Sequence, residues 1–176
     1  MRLMNARRGF LHETTLRAKG FTLPELVTVV AIVGIIAALA APAFNNLIRS
    51  QRIKTATNNL ASALIFARSE AVKRNTDVTI TRVGTGNAWG GGWTISYVDG
   101  GTQTPRSQAA LNQLKVTGNV PSVTFGGGGR ADSTANFTID SDPTISNVEA
   151  RCVEVGLNGM PRMWTARGGD HNCAND

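Results

Sequence analysis

The chain has 176 residues, 41% of them apolar and 17% charged, which suits one folded domain and excludes a chain too polar to bury a core. Its net charge of +6 invites a nucleic-acid reading, but Arg2, Arg7, Arg8, Arg17 and Lys19 against Glu13 place +4 of it in the first 20 residues. A basic leader of that kind favours retention on the cytoplasmic side of a membrane, and the remainder is only mildly basic.

The stretch RAKGFTLPELVTVVAIVGIIAALAAPAF, Arg17 to Phe44, reads as a membrane span interrupted by one carboxylate, Glu25. From Leu26 to Phe44 there is no charge. About 20 such residues at 1.5 Å rise cover a hydrocarbon core of roughly 30 Å. Pro42 lacks an N–H donor and is expected to kink or loosen the helix near the end of the span.

The pattern then becomes amphipathic. Ile53, Ala56, Leu60, Ala63, Leu64, Ala67 and Ala71 recur at spacings of three and four, so they form one stripe facing a partner. Glu70 and Arg74 make an i,i+4 pair, and Asn75-Thr76-Asp77 is a stop. A single helix over residues 22–75 would be on the order of 80 Å long.

After Asp77 the segments DVTITRV, GWTISYV, QLKVTG, PSVTF, ANFTID and RCVEVGL are short, rich in β-branched residues and punctuated by Gly, Asn, Pro and Asp. They predict strands, and FGGGGRADS, Phe125 to Ser133, reads as a hairpin loop between two of them. The fold class expected is α+β: a long N-terminal helix packed on an antiparallel sheet. Trp89, Trp93 and Tyr97 are expected to cover the helix in the core. The carboxylates Asp132, Asp140, Asp142, Glu149 and Glu154 are expected to point outward from strands into solvent.

Cys152 and Cys173 are the only cysteines; with no CxxC and two histidines they do not complete a zinc site. In an exported chain they are expected to pair. Such a bridge closes a loop of about 20 residues, stabilising by roughly 3 kcal/mol in the chain-entropy model, and tethers the C-terminal tail.

Three readings of the opening segment compete. A secretory signal would end at the Ala38-Leu39-Ala40 site, but it would put Pro24 and Glu25 inside the apolar region and discard a helix that continues directly. A plain anchor tolerates Glu25 at the interface or protonated, yet leaves Lys19-Gly20-Phe21 unexplained. A cut between Gly20 and Phe21 removes the basic leader and creates an α-amino group one helical turn from Glu25. That carboxylate could then reach its own N-terminus or the amine of a neighbouring subunit, and pairing would relieve the cost of an isolated charge in a helical bundle.

The run KGFTLPELVTVVAIVGIIAALAAPAF closely resembles the class III signal of type IV pilins and pseudopilins: a basic leader ending in Gly, then Phe-Thr-Leu-x-Glu-Leu and a long apolar helix. NNLASALIFARSEAVKRNTDVTI followed by WGGGWTISY is similar to the GspH/FimT group of minor pilins and pseudopilins, and VTFGGGGRAD and RCVEVGLNGMPRM resemble that group's paired strand endings. The resemblance implies the type IV pilin fold. It implies a cleaved leader over residues 1–20, a membrane and fibre-core helix over 21–44, an amphipathic half over 45–75 and a β-rich head over 76–176. It further implies that a prepilin peptidase cuts after Gly20 and methylates Phe21, and that Glu25 is the assembly carboxylate.

The partners implied are other minor and major pilins or pseudopilins and an inner-membrane assembly platform. The location implied is the bacterial inner membrane, single-pass with a periplasmic head, and then a pilus tip or pseudopilus. The function implied is structural, a minor pilin priming type IV pilus assembly, with an H-type pseudopilin of type II secretion as the alternative. No cofactor, metal or catalytic site is expected. His171 alone would remain after cleavage to serve a Ser-His-Asp arrangement, and Gly126 to Gly129 lack the Gly-Lys-Ser/Thr of a phosphate loop.

A third reading is DNA binding. FimT-type receptors carry a Gly-Arg-x-Arg turn, and the matching stretch here is Gly159-Met160-Pro161-Arg162, with the first Arg replaced by Met160. Arg130, Arg151, Arg162 and Arg167 could form a modest basic patch with Trp164 stacking on bases. The favoured reading is that these arginines are scattered solvated charges and that Trp164 is packed.

Overall fold

The structure, a computed structural model, describes residues 20–86, 88–166, 171 and 173. The expected leader up to Lys19 and the candidate Arg167 lie outside these residues. The chain forms two compact units, one ending at Ala41 and one beginning at Pro42.

The first unit contributes the beginning of a single helix, α1 (Leu23–Arg74). Every residue from Phe21 to Leu39 is exposed, although almost all are apolar. The helix is long and apolar enough to cross a membrane, with a mean hydropathy of 2.6 over its best window. The backbone stays helical through Pro42. One proline removes a single ladder bond, and the regular geometry continues on both sides of it.

In the second unit the predicted stripe is the buried face of α1. Ile53, Ala56, Leu60, Ala63, Leu64, Ala67 and Ala71 are buried, joined by Thr57 and Ala61. Thr57 is accommodated because its hydroxyl donates to the carbonyl of Ile53 at 2.7 Å. The helix ends on Asn75 at φ 50°, with Asn75 N–H donating to Val72 O and Thr76 N–H to Ala71 O. Those two bonds form a Schellman cap, with Asn in the left-handed position.

The strands are β1 (Val78–Arg82), β2 (Trp93–Val98), β3 (Thr102–Gln108), β4 (Leu114–Gly118), β5 (Ser122–Phe125), β6 (Ala135–Ser141), β7 (Arg151–Val155) and β8 (Pro161–Thr165). They form two four-stranded sheets, β3-β2-β1-β5 and β4-β6-β7-β8, antiparallel throughout. The single sheet expected from the sequence is therefore two. The hairpin expected at Phe125 to Ser133 is instead a crossover: β5 pairs with β1 in the first sheet, whereas β6 pairs with β4 and β7 in the second. Only the turn itself is hairpin-like, closed by Gly126 N–H to Arg130 O at 3.0 Å and a bridge between Phe125 and Ala131.

Both sheets bury one face with the helix stripe in a common core, which holds Val78, Ile80, Ile95, Val123 and Phe125 from the first sheet and Val116, Phe137, Ile139, Val153 and Val155 from the second. Trp89 is fully buried, stacks edge-on against Phe137 at 4.9 Å and donates its indole N–H to Val120 O at 2.9 Å. Its ring requires Gly118, where a Cβ would stand 2.7 Å from the indole nitrogen. Trp93 and Tyr97 are buried as expected. β3 was not legible in the sequence: TQTPRSQ holds no apolar residue, and as an edge strand it is exposed along nearly its whole length.

Candidate processing and assembly site

Gly20, Phe21 and Glu25 lie at the start of α1. Phe21 is 79% exposed, and a Cβ built on Gly20 meets nothing within 4 Å. Packing among the described residues therefore does not require a glycine there. Glu25 is the acidic residue of the first helical turn. Its Oε2 accepts the N–H of Thr22 at 3.4 Å, the reciprocal arm of a capping box in which Thr22 is the N-cap. The Thr-x-x-Glu spacing carries that signal, and the sequence reading overlooked it. The same carboxylate is thus already aimed at its own helix N-terminus, where an α-amino group at Phe21 would stand.

The head residues proposed from sequence are placed differently. Cys152 and Cys173 form a disulfide with Cα atoms 5.6 Å apart. Around it Ala150 and Ala166 are buried, with Trp164 packed against them, so Trp164 is a packed ring as the favoured reading held. Arg130 and Arg162 are exposed, on two segments that touch: Ala131 N–H donates to Leu157 O at 3.2 Å, and a Cβ on Gly159 would lie 2.2 Å from Gly129 O. Gly159 has φ +71° and therefore needs to be glycine both for its conformation and for this approach. Arg68 Nε of α1 donates to Gly129 O at 2.9 Å and ties both turns to the helix. Across the ladder Arg162 faces Glu154, and Arg151, half-buried, faces Thr165. The arginines are thus neither convergent on one face nor free of nearby acid.

One expectation fails. Asp140 is buried, 3% exposed, whereas Asp132, Asp142 and Glu149 are exposed as expected and Glu154 is half-buried. Its carboxylate accepts from Ser141 N–H at 2.6 Å and Thr144 Oγ1 at 2.8 Å, and His171 Nδ1 lies 3.1 Å away. Burial is tolerated because those donors replace water. The hydroxyl here serves the carboxylate rather than the imidazole, so the group is not arranged as a nucleophile with its base. Among the described residues no cluster of three or more His, Cys, Asp or Glu could hold a metal ion.

The fold is shared with pilin-type subunits. The type IV minor pilin FimU of Pseudomonas aeruginosa is 19% identical with a TM-score of 0.57, over 68% of this chain and 96% of that one. The minor pseudopilin EpsH of the Vibrio cholerae type 2 secretion system is 14% identical with a TM-score of 0.54, over 65% and 97%. The molecule has the type IV pilin fold. A family model described as "Type II transport protein GspH" matches residues 56–159, and one described as "Prokaryotic N-terminal methylation motif" matches residues 15–41. The chain belongs to the GspH family. It is a structural subunit of the minor pilin and pseudopilin kind rather than an enzyme. No curated protein matches the chain.

Proposed function

We propose that this chain is a minor subunit of a type IV pilus that primes assembly from the fibre tip. A prepilin peptidase cuts between Gly20 and Phe21 and methylates the new amine. Residues 21–44 hold the chain in the bacterial inner membrane, with the head on the periplasmic side, until the assembly platform transfers it into a fibre with other pilins. The observation that carries this reading is Glu25: a carboxylate in the first turn of a helix that is otherwise uncharged through Phe44 and exposed from Phe21 to Leu39. Moved into a bundle of apolar helices, that charge costs several kcal/mol unless it is paired, and a cationic amine at Phe21, its own or a neighbour's, offsets the cost. The likeness to FimU supports the pilus; the description of the matching family model favours a second reading, an H-type pseudopilin of type II secretion.

Intact mass of the protein extracted from membranes should correspond to an N-methylated chain beginning at Phe21. An uncut leader, or a start at Ala41, would contradict the proposal. Glu25→Ala should leave that mass signature in place, apart from the substitution, and reduce recovery in sheared fibres at least tenfold. Deleting the chain should remove surface pili if it serves the pilus, and should stop export of folded proteins if it serves secretion.

A further inference from the structure

Of the four sheet edges in the head, three are covered or blunted. The outer edge of β4 is bonded by the segment before β2, through Trp89 N–H to Val116 O at 2.7 Å and a bridge from Ala88 to Thr117. That of β5 is covered by its own continuation, with Asp132 N–H donating to Thr124 O at 2.9 Å and Thr124 N–H to Asp132 Oδ1 at 3.1 Å. β3 carries Pro105, a register shift between Ile95 and Tyr97 on the strand it pairs with, and only polar side chains. These are the usual defences of a strand edge against other chains.

β8 has a different character. Ala166 N–H donates to Ala150 O, and Arg151 pairs with Thr165, so alternation of the ladder turns the N–H and C=O of Met163 and Thr165 away from β7. Among the described residues nothing bonds them. On this strand Met163 is 50% exposed, and in the turn that leads into it Met160 is 51% and Leu157 48% exposed, large apolar side chains that a solvated strand and turn do not need. Arg162, on β8 itself, is exposed with no ion pair among the described residues. Backbone groups without a partner among the described residues, an exposed thioether and an exposed cation thus occur together along β8.

We propose that the outer edge of β8 is a docking strand, which accepts an extended segment of another protein subunit whose residues alternate between apolar and acidic. Added next to β8, such a segment would bond Met163 and Thr165 through its backbone, place an apolar side chain against Met163 and set a carboxylate opposite Arg162. Nucleic acid fits less well: a phosphate backbone offers no apolar side chain for the exposed Met163 and no strand to bond the β8 edge, and the neighbouring aromatic ring, Trp164, is packed against the disulfide cluster. The proposal rests on the assembly reading only for the source of the strand, and its test does not use assembly.

The test takes the full-length protein in detergent and a synthetic peptide alternating valine with glutamate, with a valine–lysine peptide as control. The acidic peptide should slow amide exchange at Met163 and Thr165 at least tenfold, and the basic one should not. Met163→Lys and Arg162→Glu, both at exposed positions, should each weaken binding at least tenfold with little change in thermal midpoint. Arg162→Glu should in turn gain affinity for the basic peptide, a reversal that misfolding would not produce. The proposal is overturned if neither peptide protects the edge, if protection falls on β3, or if both peptides bind equally. Displacement of the peptide by duplex DNA would also overturn it, as would self-association abolished by Met163→Lys, which would identify the occupant as a second copy. Fibre incorporation of Glu25→Ala reads the assembly function separately.

Discussion

Arg74, the last residue of α1, is held from two sides. Its Nε donates to Glu70 Oε2 at 2.7 Å, and its guanidinium lies 4.0 Å from the centre of the Tyr97 ring. The hydrogen bond from Arg74, with help from Lys73, lowers the Glu70 carboxyl below its ordinary 4.5. A carboxylate depressed in the folded state contributes stability that is fully present above the unfolded value and lost as the pH falls through the folded one. Glu70→Gln should therefore flatten the decline in thermal midpoint below about pH 4.5, while the two proteins differ by a constant amount near neutrality; equal slopes in acid would show that the pair is not linked to folding. At this scale the sequence was partly legible. The i,i+4 spacing announced Glu70 and Arg74, and Thr-x-x-Glu encoded the cap at Glu25. Asp140 was not legible, because its burial comes from the tail residue His171 and the loop residue Thr144, and strand alternation says nothing about either.

Among the elements, the second half of α1 followed directly from its periodicity, since a stripe at spacings of three and four has one way to be buried. Six of the eight strands were marked by β-branched runs. β8 was marked only through family resemblance, and β3 not at all, because a strand exposed along its length and closed to further pairing by Pro105 needs no apolar alternation. The disulfide acts at this scale too. Cys152 lies on β7, and Cys173 N–H also donates to Thr138 Oγ1 on β6 at 3.3 Å, so the bridge fixes the tail across two strands. Cys173→Ser should lower the unfolding free energy by about 3 kcal/mol, as expected for removing a loop closure of this length. Matching denaturation midpoints for the variant and the oxidised parent would refute a stabilising role.

For the whole molecule, the buried core among the described residues begins at Ile53 and includes none of residues 20–41. A chain starting at Pro42 should therefore keep the far-ultraviolet spectrum of the head and its cooperative unfolding, and should dissolve without detergent, since the uncovered apolar helix has been removed. Loss of cooperative unfolding would show that the first unit contributes to the fold. The sequence by itself determined the helix, its change from wholly apolar to striped, the strand-rich head and the position of one carboxylate near the start of an apolar span, because each of these is set by residues close together in the chain. Tertiary structure alone decided that the strands divide into two sheets, that the glycine run crosses between them, that Gly129 and Gly159 meet over Arg68, and that among the described residues one edge stays open at β8. Those features depend on which distant strands pair, and the free energy that chooses among pairings is spread over the whole core rather than written in any one segment.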